Sequence, residues 1–276
     1  MTSADGQPDT SRSISYTTAG GIAVTRHREP IDAQASIGSL IDQLDTRRGV
    51  LLSSNYDYPG RYTRWDLGLC DPLLEVSSRE RRLEVNALSE RGRLLLAPIG
   101  KALEALPELE NFRASERGFE LLIQKPSRRF AEEERSRQPS VFSAIRALVK
   151  LFSSPCDDQL GLYGAFGYDL TFQFEPIRLK HARSASQRDM VLYLPDELLV
   201  VDRRKETAFR YRYEFEHAGQ RSRSLSNAPL PESASLDVEP IRPGPDHECM
   251  SVREVRHGCS DEATLQTRFR HPSPCS

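Results

Sequence analysis

From Ile14, the stretch ISYTTAGGIAVTR alternates small, β-branched and polar residues, and Gly20-Gly21 marks a hairpin turn between two short strands. Ile37, Leu40, Ile41 and Leu44 then recur at helical spacing, with Arg47-Arg48-Gly49 as a cationic last turn and glycine stop. GVLLSS predicts a strand running into the loop NYDYPGRYTRW, which gathers three tyrosines and the single tryptophan around Pro59-Gly60. In RRLEVNAL, Leu83, Val85 and Ala87 share one face and Glu84 and Asn86 the other, the pattern of a half-buried strand. Residues 94–106 read as an amphipathic helix and FELLIQK as a strand. The charged run SRRFAEEERSRQP reads as a solvated connection. Ser140 then caps a helix whose Val141, Ile145, Leu148 and Phe152 form a stripe that must face a core.

GLYGAFGYDLTFQFE is glycine-rich and aromatic, but Gly161, Gly164 and Gly167 do not fit the dinucleotide-binding spacing. It reads as a strand whose small residues let another backbone come close. DMVLYLPDELLVVDRRKETAFRYRYEF is the clearest antiparallel pair, with RRKE as its turn. Phe209, Tyr211, Tyr213 and Phe215 line one face of it, and Arg210, Arg212 and Glu214 the other. From Ala218 the composition turns to Ser, Pro, Arg and Glu, as in a linker too polar to order itself. The expected organisation is a disordered leader over 1–13, a domain over 14–217, a linker over 218–248 and an unordered tail over 249–276.

Composition narrows the function classes. Lys plus Arg number 38 against 40 Asp plus Glu, a net charge of −2, so charge alone drives binding neither to nucleic acid nor to an anionic membrane. No run approaches the roughly 20 apolar residues of a spanning helix, and the polar start lacks the order of a secretory signal. The five cysteines are odd in number and unevenly spread, which argues against a disulfide framework and for a cytoplasmic location.

Candidate chemistry is sparse. His247, Cys249, His257, Cys259, His271 and Cys275 supply zinc-binding residue types, but not at the tight spacing of a structural site, and no apolar core surrounds them. Nucleophile-elbow, zincin and phosphate-loop motifs are absent. Asp169 and Glu175 flank a strand and suit an acid–base pair, although a hydrogen-bonded strand end explains Asp169 as well. Leu51-Leu52-Ser53-Ser54, followed by Arg61-Tyr62-Thr63, places hydroxyls and an arginine at a strand end. Such groups can hold the ends of an amino acid in a small pocket.

The string LLSSNYDYPGRYTRWDLGLCDPLL closely resembles the opening of the large component of anthranilate synthase, in the form fused to its glutamine amidotransferase. GLYGAFGYDLTFQFEPI and RDMVLYLPDELLVVDRR resemble later strands of that family in the same order, so the likeness covers residues 14–248. It implies an α+β fold of mostly antiparallel sheets packed as a sandwich with outer helices, followed by a disordered carboxy-terminal tail. It also implies a lyase of tryptophan biosynthesis that converts chorismate and glutamine to anthranilate, pyruvate and glutamate with magnesium, under feedback inhibition by tryptophan.

The family's Leu-Leu-Glu-Ser element binds that inhibitor. It falls here on Leu51, Leu52, Ser53 and Ser54, with Arg61 and Tyr62 where the loop closes over the effector and serine replacing glutamate at 53. The expected effector site is therefore Leu52, Ser53, Ser54, Arg61 and Tyr62. The chorismate-binding half with its magnesium ligands, and the amidotransferase domain, belong to sequence beyond this chain. The tail past Glu248 looks like translation in a shifted frame, so the isolated chain is expected to be inactive, a regulatory and scaffold part with no catalytic residue. The alternatives are another chorismate-utilising enzyme, such as aminodeoxychorismate or isochorismate synthase, and a stand-alone tryptophan-binding module.

Overall fold

The computed structural model describes residues 12–53, 64–126, 130, 133–134, 138–175, 177, 180–181, 183–184 and 186–230. The chain divides into two units, Met1–Ser233 and Ala234–Ser276, and the second lies outside the described residues. The expected disordered tail therefore lies outside them as well.

Strands β1 (Arg12–Thr17) and β2 (Ala23–Pro30) form the expected hairpin, with Tyr16 opposite Val24. Its turn needs Gly21 at φ +82°, a region that costs a side chain strain. Helix α1 (Ala33–Leu44) starts at Asp32, whose carboxylate accepts from the Ala35 N–H at 2.6 Å. Ile37, Leu40 and Leu44 pack on Leu199, Val201 and Ala208. The helix ends before the expected glycine stop. Gly49 instead opens β3 (Gly49–Leu52), where a Cβ would lie 2.3 Å from the Leu69 carbonyl oxygen. Gly68 plays the matching part under α1, since a Cβ there would lie 2.2 Å from Leu40 Cδ2.

Between β3 and the anticipated RRLEVNAL strand lie two strands that alternation does not reveal, β4 (Trp65–Cys70) and β5 (Leu74–Arg79). The anticipated strand follows as β6 (Arg82–Ala87). The segment read as one amphipathic helix contains two, α2 (Glu90–Arg93) and α3 (Leu96–Glu104). Next come β7 (Leu109–Ser115), β8 (Gly118–Ile123) and α4 (Val141–Phe152). All four residues of the expected α4 stripe are buried, as are Ser143, Ala144 and Leu151, so α4 is set into the core rather than laid upon it. Ser140 takes the N-cap conformation, but the Val141 N–H is satisfied by Gln173 Oε1 at 3.1 Å.

The glycine-rich stretch is a strand for four residues only, β9 (Tyr163–Phe166), before a 3₁₀ turn over Tyr168–Gln173. The last strands are β10 (Met190–Leu194), β11 (Glu197–Asp202), β12 (Thr207–His217) and β13 (Gln220–Arg221). Order continues past Ala218, where the composition suggests a linker: Ser222 Oγ accepts from the Phe215 N–H, and the Leu230 N–H donates to the Leu88 carbonyl.

One sheet runs β1-β2-β12-β11-β4-β3, with β13 beside the end of β12, and the other runs β7-β8-β6-β5-β10-β9. Every ladder between named strands is antiparallel. The supposed long pair over 189–215 is split by this arrangement: β11 and β12 form the hairpin, whereas β10 belongs to the other sheet, and Pro195-Asp196 carries the crossover. Val24, Leu198, Tyr213 and Phe215 from one sheet share a single apolar core with Leu74, Val85, Leu121 and Leu192 from the other, joined by Ile99, Leu103, Leu148 and Phe152 from the helices. The fold is thus α+β, two antiparallel sheets on one core, with α1 on an outer face.

The close approach expected at the glycine-rich strand is real, since a Cβ on Gly164 would stand 2.0 Å from the Val191 carbonyl oxygen. Gly164→Ala is therefore expected to push β9 off β10 and cost about 1–3 kcal/mol. Gly161→Ala, which meets nothing within 4 Å, is expected to be neutral or slightly stabilising. Urea midpoints of the two variants decide this, and equal midpoints would refute it.

Candidate functional site

β3 ends where the sequence places a binding element. Leu52 pairs with Leu67, Leu67 with Val200 and Val200 with Phe209, so one apolar row crosses β3, β4, β11 and β12 on a single face. Val200 is buried and the other three are half-buried. Leu67, Val200 and Phe209 of this row pack into the shared core, and the Arg28 guanidinium lies 4.4 Å from the Phe209 ring centre, so Leu52 is the end of the row nearest the loop.

Ser53 turns the other way. Its hydroxyl donates to Asp66 Oδ1 at 2.7 Å, and Asp66, next to Leu67 in β4, points to the opposite face. Asp66 is only 1% exposed, and its second oxygen accepts from Arg203 Nε at 2.7 Å. Arg203 Nη2 also lies 3.4 Å from Ser53 Oγ. Beside this cluster stands a second pair, with Arg64 Nη2 2.9 Å from Asp202 Oδ2 and its guanidinium 4.5 Å from the Trp65 ring centre. The hydrogen bond from Arg64 holds the Asp202 carboxyl below its ordinary range, and the Lys205 and Arg204 N–H groups add to that effect. The strand end is thus bounded by two matched charge pairs.

Of the expected site residues, Leu52 and Ser53 are placed, on opposite faces, while Ser54, Arg61 and Tyr62 lie outside the described residues. Asp66 and Arg203 were not anticipated; they lie 13 and 150 residues from Ser53 along the chain, and local pattern carries no sign of the contact.

Asp169 sits in the 3₁₀ turn and is held by Arg183 Nε at 3.1 Å and by the Gln187 amide at 2.8 Å, the structural role weighed for it. The His and Cys residues from His247 onward lie outside the described residues. Among the described residues no group of three or more His, Cys, Asp or Glu could hold a metal, and no helix is long and apolar enough to cross a membrane.

A second buried charge ties the segment after α4 to the first hairpin. The Asp157 side chain is fully buried, 3.0 Å from Arg26 Nη1, and accepts from the Tyr16 hydroxyl at 2.8 Å. Burial pushes the Tyr16 phenol up, and its bond to Asp157 pushes it further. In a third cluster, Asp196 is paired with Arg91 Nη1 at 2.9 Å, yet burial still raises its carboxyl above the ordinary range.

No profile of a known protein family matches the chain. Individual proteins do. An anthranilate synthase of Azospirillum brasilense is 44% identical over 208 residues, which are 75% of this chain and 28% of that protein. Anthranilate synthase component 1 of Serratia marcescens is 29% identical over 220 residues, and that of Salmonella typhimurium 28% over 222; each match covers 41% of the relative. The chain therefore spans well under half the length of these curated relatives. The chain is similar in sequence to the amino-terminal part of proteins named anthranilate synthase and anthranilate synthase component 1.

Proposed function

We propose that this chain is the amino-terminal regulatory and scaffold part of an anthranilate synthase, the lyase that forms anthranilate from chorismate and glutamine, and that L-tryptophan is its effector. The observation that carries this reading is the 44% identity over 208 residues with the Azospirillum brasilense protein. That relative is a longer chain than the Serratia one, since 208 residues make 28% of the first while 220 make 41% of the second. The difference agrees with a large component fused to its amidotransferase.

Leu52, Ser53, Ser54, Arg61 and Tyr62 are the proposed effector contacts. Half-buried Leu52 suits the edge of the indole ring, while Ser53, Asp66 and Arg203 on the opposite face brace the strand end from behind and leave the zwitterionic end to Ser54, Arg61 and Tyr62. Tryptophan would act by favouring one of two states of the complete enzyme, which requires different affinity for the two. The residues that bind chorismate, the magnesium that supports the reaction, and the amidotransferase would lie in sequence beyond this chain. A cytoplasmic location goes with this pathway.

Calorimetric titration of the full chain with L-tryptophan tests the proposal. Saturable binding at one site is expected, weakened tenfold or more in Ser54→Ala, a loss of about 1.4 kcal/mol. A parallel fluorescence assay with chorismate and glutamine is expected to show no anthranilate. A folded sample that takes up no tryptophan would remove the effector site, and turnover would overturn the placing of catalysis outside the chain.

A further inference from the structure

We infer a second binding site, for a small multiply charged oxyanion, in the cleft between α1 and the outer face of the β11–β12 hairpin. The cleft has a volume of about 540 Å³, within the roughly 300–1,000 Å³ range of small-molecule sites. One wall is the polar stripe of α1, with Ser36, Ser39, Gln43 and, past the helix end, Arg47; the other carries Arg91, Arg223 and Asn227. Arg210 and Arg212 line it from β12.

Charge selects the ligand. Five arginines line the cleft, against the carboxylates of Asp71, Asp196 and Glu197. Arg47 is matched by Asp71 and Arg91 by Asp196, but the single carboxylate of Glu197 serves both Arg210 and Arg212, at 3.2 and 3.1 Å. Glu29, outside the lining, takes Arg212 Nη1 at 3.0 Å. Even with that acid counted, Arg223 has no ion-pair partner among the described residues. A solvated face of self-neutralising pairs needs as many acids as bases, and this lining has too few. Arg210 approaches Glu197 with Nε, and among the described residues neither of its Nη groups makes a hydrogen bond, so both remain to donate. Planar N–H forks beside serine hydroxyls fit the oxygens of a phosphate monoester or a polycarboxylate. The cleft meets β4 at Gly68, Leu69 and Cys70, away from the Ser53 end of β3, so this site is separate from the proposed effector site.

The test is calorimetry of the full chain with inorganic phosphate and, separately, with citrate, at matched low ionic strength and again in high salt. One saturable site is expected for at least one of the two ions, weakening in salt because the cleft is open. Tighter phosphate would identify a phosphate ester as the ligand class, and tighter citrate a polycarboxylate. The double variant Arg210→Gln, Arg223→Gln is expected to weaken binding at least tenfold while shifting the melting temperature by less than about 3 °C. Should that variant melt early, Ser39→Glu, an exposed change on the α1 wall, is expected to abolish binding through repulsion. No saturable heat with either ion, several weak sites instead of one, or unchanged affinity in a folded variant would overturn the inference.

Discussion

Asp157→Ala is expected to destabilise the fold by about 3–5 kcal/mol, the largest effect of any single change considered. The reason is what stays behind. Arg26, whose side chain is only 15% exposed, would keep its positive charge with no acid in contact among the described residues, and the Tyr16 hydroxyl would lose its acceptor. The Gln159 N–H, which donates to Asp157 Oδ1 at 2.9 Å, would lose its acceptor too, and what is left to Arg26 is the Tyr211 ring at 5.1 Å and neutral hydroxyls such as that of Tyr213, which cannot replace a carboxylate. A typical domain holds a net stability of about 5–15 kcal/mol, so such a loss removes a large fraction of it. Asp157→Asn keeps the volume and one acceptor but not the charge, and is expected to fall between alanine and wild type. The double change Arg26→Met, Asp157→Leu is expected to recover much of the loss, because it removes both charges at similar volume. Urea unfolding of the four proteins measures this. An alanine variant within about 0.5 kcal/mol of wild type would mean that the buried pair is not what fastens the segment after α4 to the first hairpin.

Asp157 also shows where local pattern stops informing. It lies in SSPCDDQLGLYG, which reads as a loop, and its partners Tyr16 and Arg26 stand on another sheet element more than a hundred residues earlier. Helices α1 and α4 and strands β6 and β12 were legible because each keeps one face polar, so burial leaves its period in the sequence. β5 erased that signal. All its residues except Arg79 are buried, and Glu75, Ser77 and Ser78 among them are polar. β7 failed in the opposite way, as an edge strand exposed along most of its length. The stretch DMVLYLPDELLVV, read as one partner of an antiparallel pair, is two strands in different sheets: its second half pairs across RRKE as expected, whereas the crossover at Pro195-Asp196 leaves no mark in the alternation. There the Asp196 carbonyl accepts from the Tyr213 N–H and its carboxylate binds Arg91. At the candidate site, resemblance located Leu52 and Ser53, but only the fold could show that they face opposite ways and that an aspartate and an arginine stand behind the serine.

Asp66→Ala is expected to cost about 2–3 kcal/mol, less than Asp157→Ala although Asp66 is almost as deeply buried, because Arg203 is 41% exposed and can turn to water. Ser53→Ala alone is expected to cost about 1.5 kcal/mol, the low end for one hydrogen bond to a charged acceptor. The two losses should not add, since removing Asp66 leaves the serine nothing to donate to, and a double-mutant cycle reads that coupling directly. The same contact explains why serine suits a position where the resembling family has glutamate. In Ser53→Glu a second carboxylate would arrive beside Asp66, whose cation in contact among the described residues is Arg203, and like charges at such range favour protonation of one of them. Its penalty should therefore be largest near about pH 7 and fade as the pH falls toward about 4, where carboxylates take up protons and the repulsion goes. Adding Asp66→Asn to Ser53→Glu removes the second charge and should close most of the gap at neutral pH. If Ser53→Glu alone matched wild type at both pH values, Asp66 would not be the residue that sets serine at 53, and the polar end of the proposed effector site would have to be rebuilt around other groups.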